Sequence, residues 1–137
     1  MNFDPAAFVA DPDLVLALDQ RSTPVPCADG QVLFHQGDAP TGVYILKVGE
    51  VTLTMTSAQG ETVMRVLAPA GSLLGLPGLI GNEPYTLTAI AGKHSVCKFV
   101  PRAEFTGLMQ SDPTLALKIL QVLAAEVRSA RRAIANL

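Results

Sequence analysis

Apolar and polar positions alternate strictly in VTLTMT (51–56). Val51, Leu53 and Met55 therefore share one side of a strand, and Thr52, Thr54 and Thr56 the other. The turn residues SAQG (57–60) follow, and TVMRVL (62–67) reads as the return strand of a hairpin. VYIL (43–46) is a continuous apolar run, the pattern of a buried strand. TLTAIA (86–91) and SVCKFV (95–100) flank Gly92-Lys93, which predicts a second hairpin. Glycines at 30, 37, 42, 49, 60, 71, 75, 78, 81 and 92 punctuate residues 24–100 at the spacing of many short strands joined by turns.

Both ends of the chain change period. Phe8, Leu14, Leu16 and Leu18 predict a helical segment over 5–19, which Pro12 splits in two. Ser111-Asp112-Pro113 supplies an N-cap and a first-turn proline for a long helix over 111–137. Along it, Ala116, Leu120, Leu123, Val127, Ala130, Ile134 and Leu137 recur at steps of four and three, an a/d seam of about three heptads. Leu115, Ile119 and Val122 form a second stripe. One stripe can pack on the strands and the other on a partner helix, because a helix of about 25 residues is roughly 38 Å long. A small β structure cannot cover all of that, and Val127, Ala130 and Ile134 would face water. The expected organisation is one domain over 1–137: an N-terminal helical segment (1–22), a β-roll (23–102) and C-terminal helices (103–137). The fold class is mainly β with flanking helices, a sandwich or barrel and, with these strand counts, a jelly roll (a double-stranded β-helix).

Composition narrows the function classes. The chain is 49% apolar and 16% charged, which excludes disorder. Its net charge of −2 argues against nucleic-acid binding. The uncharged run 66–82 is broken by Pro69, Pro77 and several glycines, so it is no membrane helix. MNFDPAAF lacks the basic start of a secretory signal, and the expected location is the cytoplasm. There Cys27 and Cys97 are reduced thiols. Residues 66–92 contain no Lys, Arg or His, and Glu83 is their one formal charge.

A set of residues spread over nearly the whole chain resembles one family. They are Gly30-x-x-Leu33-Phe34-His35-Gln36-Gly37-Asp38, Val43-Tyr44-Ile45-Leu46, Gly49-Glu50-Val51, Gly60, Gly71 and Leu74-Gly75-x-x-Gly78-Leu79. They look like the regulatory domain of the catabolite-activator (Crp/Fnr) family of bacterial transcription factors. The resemblance implies a β-roll that holds a cyclic nucleotide and a homodimer formed along the C-terminal helix, with Leu120, Leu123, Val127, Ala130 and Ile134 at the interface. In cAMP-binding members a Gly-Glu pair opens the phosphate segment and the Glu takes the ribose hydroxyl. An Arg-Ser or Arg-Thr pair takes the phosphate, and a Thr from the dimer helix meets the base. Here Gly75 is kept, but Leu76 stands at the Glu position, Tyr85-Thr86 at the Arg-Ser position and Ala130 at the Thr position.

Losing one partner of a buried charge pair costs about 2–5 kcal/mol. At about 1.4 kcal/mol per decade, that is tens to thousands of fold in affinity. The remaining candidates to meet a ligand are Gly75, Leu76, Gly78, Leu79, Tyr85 and Thr86, with Arg131 reaching a partner's pocket. Leu76, Leu79, Ile80, Leu87 and Tyr85 either line an apolar ligand pocket or fill it as core. Restoring the pair with Leu76→Glu and Tyr85→Arg is expected to regain cAMP affinity. The family's DNA-reading helix-turn-helix would follow Leu137, so DNA binding by these residues alone is not expected.

Other chemistries fit poorly. His35 and His94 are far apart and lack accompanying carboxylates, and His94 and Cys97 would face opposite sides of a strand, so no metal or haem is expected. No HxH motif supports a cupin-type metal enzyme, and no Ser/His/Asp or Cys/His arrangement stands out, so no catalytic residues are assigned. Asp38 after Gly37 reads as a turn residue. Arg128, Arg131 and Arg132 complement the dipole of the last helix. The reading is a non-enzymatic, ligand-sensing regulatory domain with a degenerate phosphate site. No cofactor is expected, and cyclic nucleotide is disfavoured as ligand. Its partners are a second copy and an unidentified small molecule or downstream protein. The alternatives are a ligand-free dimerisation or scaffold module and a nucleotide sensor with non-standard contacts.

Overall fold

The computed structural model describes residues 2–137. A 3₁₀ turn at Pro5–Phe8 is capped by Asp4, whose side chain accepts from the Ala6 N–H at 2.9 Å. Helix α1 (Pro12–Asp19) begins at the proline, and the Asp11 side chain caps it through the Asp13 N–H at 2.8 Å. Pro12 thus divides the N-terminal segment as its missing N–H requires.

Eight strands follow: β1 (Thr23–Val25), β2 (Val32–Phe34), β3 (Gly42–Val48), β4 (Val51–Thr56), β5 (Thr62–Ala68), β6 (Leu73–Leu74), β7 (Thr88–Ala91) and β8 (Val96–Pro101). A short helix, α2 (Leu76–Gly81), separates β6 from β7. Two further helices, α3 (Arg102–Ser111) and α4 (Pro113–Ala135), complete the fold. The strands form two antiparallel sheets, β1-β8-β3-β6 and β2-β7-β4-β5, in a jelly-roll arrangement.

The expected hairpin at SAQG is present. β4 and β5 pair with Leu53 opposite Val66 and Thr54 opposite Arg65. The second expected hairpin is not. β7 lies between β2 and β4, whereas β8 lies between β1 and β3 in the other sheet. Residues 92–95 carry the chain around a corner between sheets. The Gly92 N–H and the Ser95 hydroxyl both donate to the Glu50 carbonyl at 2.9 Å, and His94 takes a left-handed φ of 58°. Two donors from outside the ladder on one carbonyl pin the corner, where a hairpin would satisfy them by its own register. His94 therefore sits in a turn, not on a strand with Cys97.

Strand β3 feeds two separate cores. Val43 and Ile45 pack with Leu14 and Leu18 of α1, Phe105 and Leu108 of α3, and the start of α4. Leu46 packs inside the roll with Val51, Leu53, Met64 and Cys97. The even and odd residues of one strand point to opposite faces, so one sheet divides the helical layer from the roll interior.

Helix α4 starts as its cap chemistry dictates. The Asp112 carboxylate accepts from Thr114 N–H at 3.1 Å and Leu115 N–H at 3.3 Å. Leu115, Ile119 and Val122 are buried against the body. Each such side chain contributes about 1.5–3 kcal/mol of burial. The same stripe continues through Glu126, Ser129 and Ala133. The Ser129 hydroxyl accepts from the Asp4 N–H at 2.7 Å, so the N-terminal turn underlies the distal half of the helix. The other stripe faces outward: Leu120 is 59% exposed, Val127 48% and Ile134 60%. Leu123 and Ala130 are half-buried. No helix among the described residues is long and apolar enough to cross a membrane.

Candidate functional site

The segment from Gly75 to Thr86 lies where the roll meets α4. Gly75 precedes α2 with φ 90°, a left-handed conformation that suits glycine. The ring of Tyr85 lies directly over it. A Cβ on Gly75 would stand 2.9 Å from Tyr85 Cε1, and one on Gly78 would stand 3.1 Å from Tyr85 Cδ1. Both glycines are therefore required for the ring to close on α2.

Tyr85 is 4% exposed, and its ring centroid is 4.3 Å from that of Phe34. Its hydroxyl donates to the Gly42 carbonyl at 2.7 Å and accepts from the Thr41 N–H at 3.2 Å. Its backbone N–H donates to the Asp38 carbonyl at 3.0 Å, while its carbonyl accepts from the Gly37 N–H at 2.8 Å. The phenol is thus engaged on the protein, and no lone donor is left for a ligand. Tyr85 ties the Gly37–Gly42 stretch to the α2 segment by packing and four hydrogen bonds.

Leu76 is fully buried, but it belongs to the helical core with Val43, Ile45 and Leu79. Gly75, Pro77 and Gly78 line the inner cavity; Leu76 does not. This corrects the expectation that Leu76 and Leu79 face a ligand: an apolar residue at 76 turns to the nearest apolar layer. It also removes the basis for repair by Leu76→Glu with Tyr85→Arg, because the new carboxylate would enter a closed core. Leu79 and Ile80 border instead an open groove against α3 and α4 that also includes Leu120.

A basic residue near this segment escaped the sequence reading. Arg102, at the start of α3, donates to the carbonyls of Pro40 at 2.9 Å and Leu79 at 3.2 Å, and to Asn82 Oδ1 at 3.3 Å. Its guanidinium clamps α2 to the 40-loop and is not turned toward the cavity. Arg131 is exposed and lies outside the cavity of its own subunit.

The inner cavity has a volume of about 20 Å³. That is room for about one water molecule. Its walls include Phe8, Phe34, Leu53, Leu74 and the Tyr85 ring, with Thr86 and Glu126 at the α4 side. Glu126 is the second residue that sequence reasoning missed. Burial alone pushes its carboxyl up to about 8, and among the described residues Glu126 Oε2 has no hydrogen-bond partner. The signal was present: Glu126 extends the 115, 119, 122 phase by one step. Ala130, the expected base-side position, borders a larger adjoining cavity of about 280 Å³ that shares Thr86, Leu87 and Glu126 with the inner one.

Comparison with known proteins agrees with this architecture. A family model described as the cyclic nucleotide-binding domain matches residues 24–112. The chain is 29% identical over 119 residues to the HTH-type transcriptional regulator Cmr of Mycobacterium tuberculosis, covering 87% of this chain and 48% of that protein. It is 27% identical over 118 residues to lysophospholipase nte1 of Neurospora crassa, covering 86% of this chain but 8% of that enzyme. The chain thus spans less than half the length of either curated relative. The structure of the Thermus thermophilus catabolite activator protein superposes with a TM-score of 0.79 at 24% identity, over 96% of this chain and 62% of that one, a likeness of fold. The match over 24–112, with the two-sheet roll and long terminal helix, shows that the chain belongs to the cyclic nucleotide-binding domain family.

Proposed function

We propose that this chain is a non-enzymatic regulatory domain of the cyclic-nucleotide-binding type whose phosphate site is closed, so that it does not sense cAMP or cGMP. The observation that carries this reading is the Tyr85 ring packed on Gly75 and Gly78, with its hydroxyl bonded to Gly42 and Thr41. An anionic phosphate there would have to displace a buried aromatic ring. It would then meet no guanidinium to form the charge-assisted pair that phosphate recognition needs. Glu126, an acid, offers an anion in the same cavity no counter-charge.

The regulatory output runs through α4. Its outer stripe of Leu120, Leu123, Val127, Ala130 and Ile134 forms the interface of a homodimer, because these apolar residues are exposed or half-exposed along one face. The stretch shared with the lysophospholipase is a small part of that enzyme. This supports a role as a regulatory part.

Isothermal titration tests the closed site. Cyclic AMP and cyclic GMP are expected to bind no tighter than about 100 µM, about 5.5 kcal/mol. A low-micromolar dissociation constant for either would overturn the reading and redirect attention to Arg131 of a second copy. A ligand-free dimerisation module is the second reading, favoured by an inner cavity with room for about one water. A thermal-shift screen separates the two, since a ligand for the native state raises the melting temperature by mass action.

A further inference from the structure

Among the described residues, the cavity of about 280 Å³ between the roll and α4 has one ionisable group in its wall, Glu126. Met55, Met64 and Leu87 form its roll side, and Val127 and Ala130 its helix side. Thr86 supplies the other polar side chain. Glu126 Oε2 is buried without a hydrogen-bond partner among the described residues. Buried polar atoms in folded proteins are nearly all paired, so an unpaired carboxyl oxygen beside an apolar cavity is a polar group able to take a ligand partner.

We propose that this cavity binds a small apolar organic cation, a primary amine or amidinium on an aromatic or aliphatic body, with Glu126 as its counter-ion. The proposal rests on the closed phosphate site argued above and names the ligand class that the adjoining cavity accepts. Three observations converge on it. The volume is near the lower end of those that hold small organic ligands. The walls are apolar apart from Glu126 and Thr86, with two methionines that can repack around differing shapes. Among the described residues no basic side chain lines either cavity, so a carboxylate or phosphate ligand would find no counter-charge there. An ammonium would do the opposite. It would replace an unpartnered buried carboxyl with a charge-assisted hydrogen bond.

The location gives the ligand a route to the output. Val127, Ala130 and Ile134 belong both to the cavity wall and to the outward stripe of α4. A ligand touching them alters the face offered to a second copy.

Binding also carries a proton signature. The carboxyl is held up to about 8 by burial, so an ammonium drives off its proton on binding below that pH. Affinity should therefore rise from pH 6 to pH 8 and then level. Among the described residues, the one other titratable side chain in the cavity walls is Tyr85 of the inner cavity, whose hydroxyl is bonded to Gly42 and Thr41.

The test is isothermal titration of the full chain at pH 8 with phenethylamine, phenethyl alcohol and phenylacetate, probes of one shape and three charges. Phenethylamine is expected to bind, with phenethyl alcohol and phenylacetate at least ten-fold weaker. Glu126→Gln should weaken the amine at least ten-fold and abolish its pH dependence. Absence of amine binding, equal binding by Glu126→Gln, or tighter phenylacetate would each overturn the proposal. Should Glu126→Gln not fold, the rise in amine affinity of the unaltered chain between pH 6 and pH 8 decides, and a flat profile refutes it. A cyclic AMP arm in the same titration keeps the two readings apart. Tight cyclic AMP would sink the closed-site reading, whereas a failed amine arm sinks this inference alone.

Discussion

Glu126→Gln should make the stability of this protein less dependent on pH. The native carboxyl is held up to about 8, against 4.5 for an unperturbed glutamate, and burial is the sole cause. Between those values the folded chain keeps a proton that the unfolded chain has released. Stability therefore falls as pH rises from 4.5 towards 8 and is flat above, since both states are then ionised. At about 1.36 kcal/mol per unit the ceiling on this loss is roughly 5 kcal/mol. Local relaxation and water entry recover part of it, and a loss of about 2 kcal/mol or more is expected. Gln has the shape of the protonated acid and cannot ionise. Urea unfolding of both forms at half-unit steps from pH 5 to pH 9 gives the measurement. The stability of Glu126→Gln relative to the unaltered chain should grow with pH, by up to one proton's slope, and level off near pH 8. Parallel curves across this range would refute the reasoning, because they would mean that Glu126 ionises at the same pH folded and unfolded.

Three further outcomes are expected. Val127→Asp places a charge in the outward stripe of α4 and should convert a dimer to a monomer in light scattering. Because Val127 is 48% exposed, the circular-dichroism melt should keep a folded monomer. Tyr85→Ala removes a buried ring and strands the Gly42 carbonyl and Thr41 N–H, and should cost about 3–5 kcal/mol in urea unfolding. Leu76→Glu puts a carboxylate into the helical core and should lower the urea midpoint strongly, with no gain in cyclic AMP affinity by titration.

The elements readable from sequence were those whose signals are local. The period-two pattern of 51–56, the SAQG turn, the apolar run at 43–46, the proline at 12 and the Asp112-Pro113 start each act within a few residues, and each is where the pattern puts it. The pairing of β7 and β8 was not readable. Gly-Lys marks a sharp change of direction, and whether the chain returns along the same sheet or crosses to the other depends on the distant Glu50 carbonyl. The site was legible as a deficit: the missing basic residue and the Tyr at position 85 were plain. What fills the deficit was not. Tyr85 satisfies its hydroxyl on residues 41 and 42, which lie 44 and 43 positions away, and Leu76 turns to a core that it shares with Val43 and Ile45. Glu126 was hidden by its type, since a glutamate on a long helix reads as solvent-facing until the heptad phase is followed past Val122.

The division of β3 between two cores makes the sheet β1-β8-β3-β6 a common wall with unequal tenants. On one side lie α1, α3 and the start of α4; on the other lies the roll interior. The distal half of α4 rests on the N-terminal turn through Ser129 and Asp4, not on that wall. The two halves of α4 thus rest on different supports, and they are expected to open separately. Amide hydrogen exchange should resolve three tiers: the β4–β5 and β3–β8 ladders slowest, the first half of α4 intermediate, and the half beyond Glu126 fastest. A regulatory helix that loosens from its far end inward can alter its pairing with a second copy without disturbing the roll.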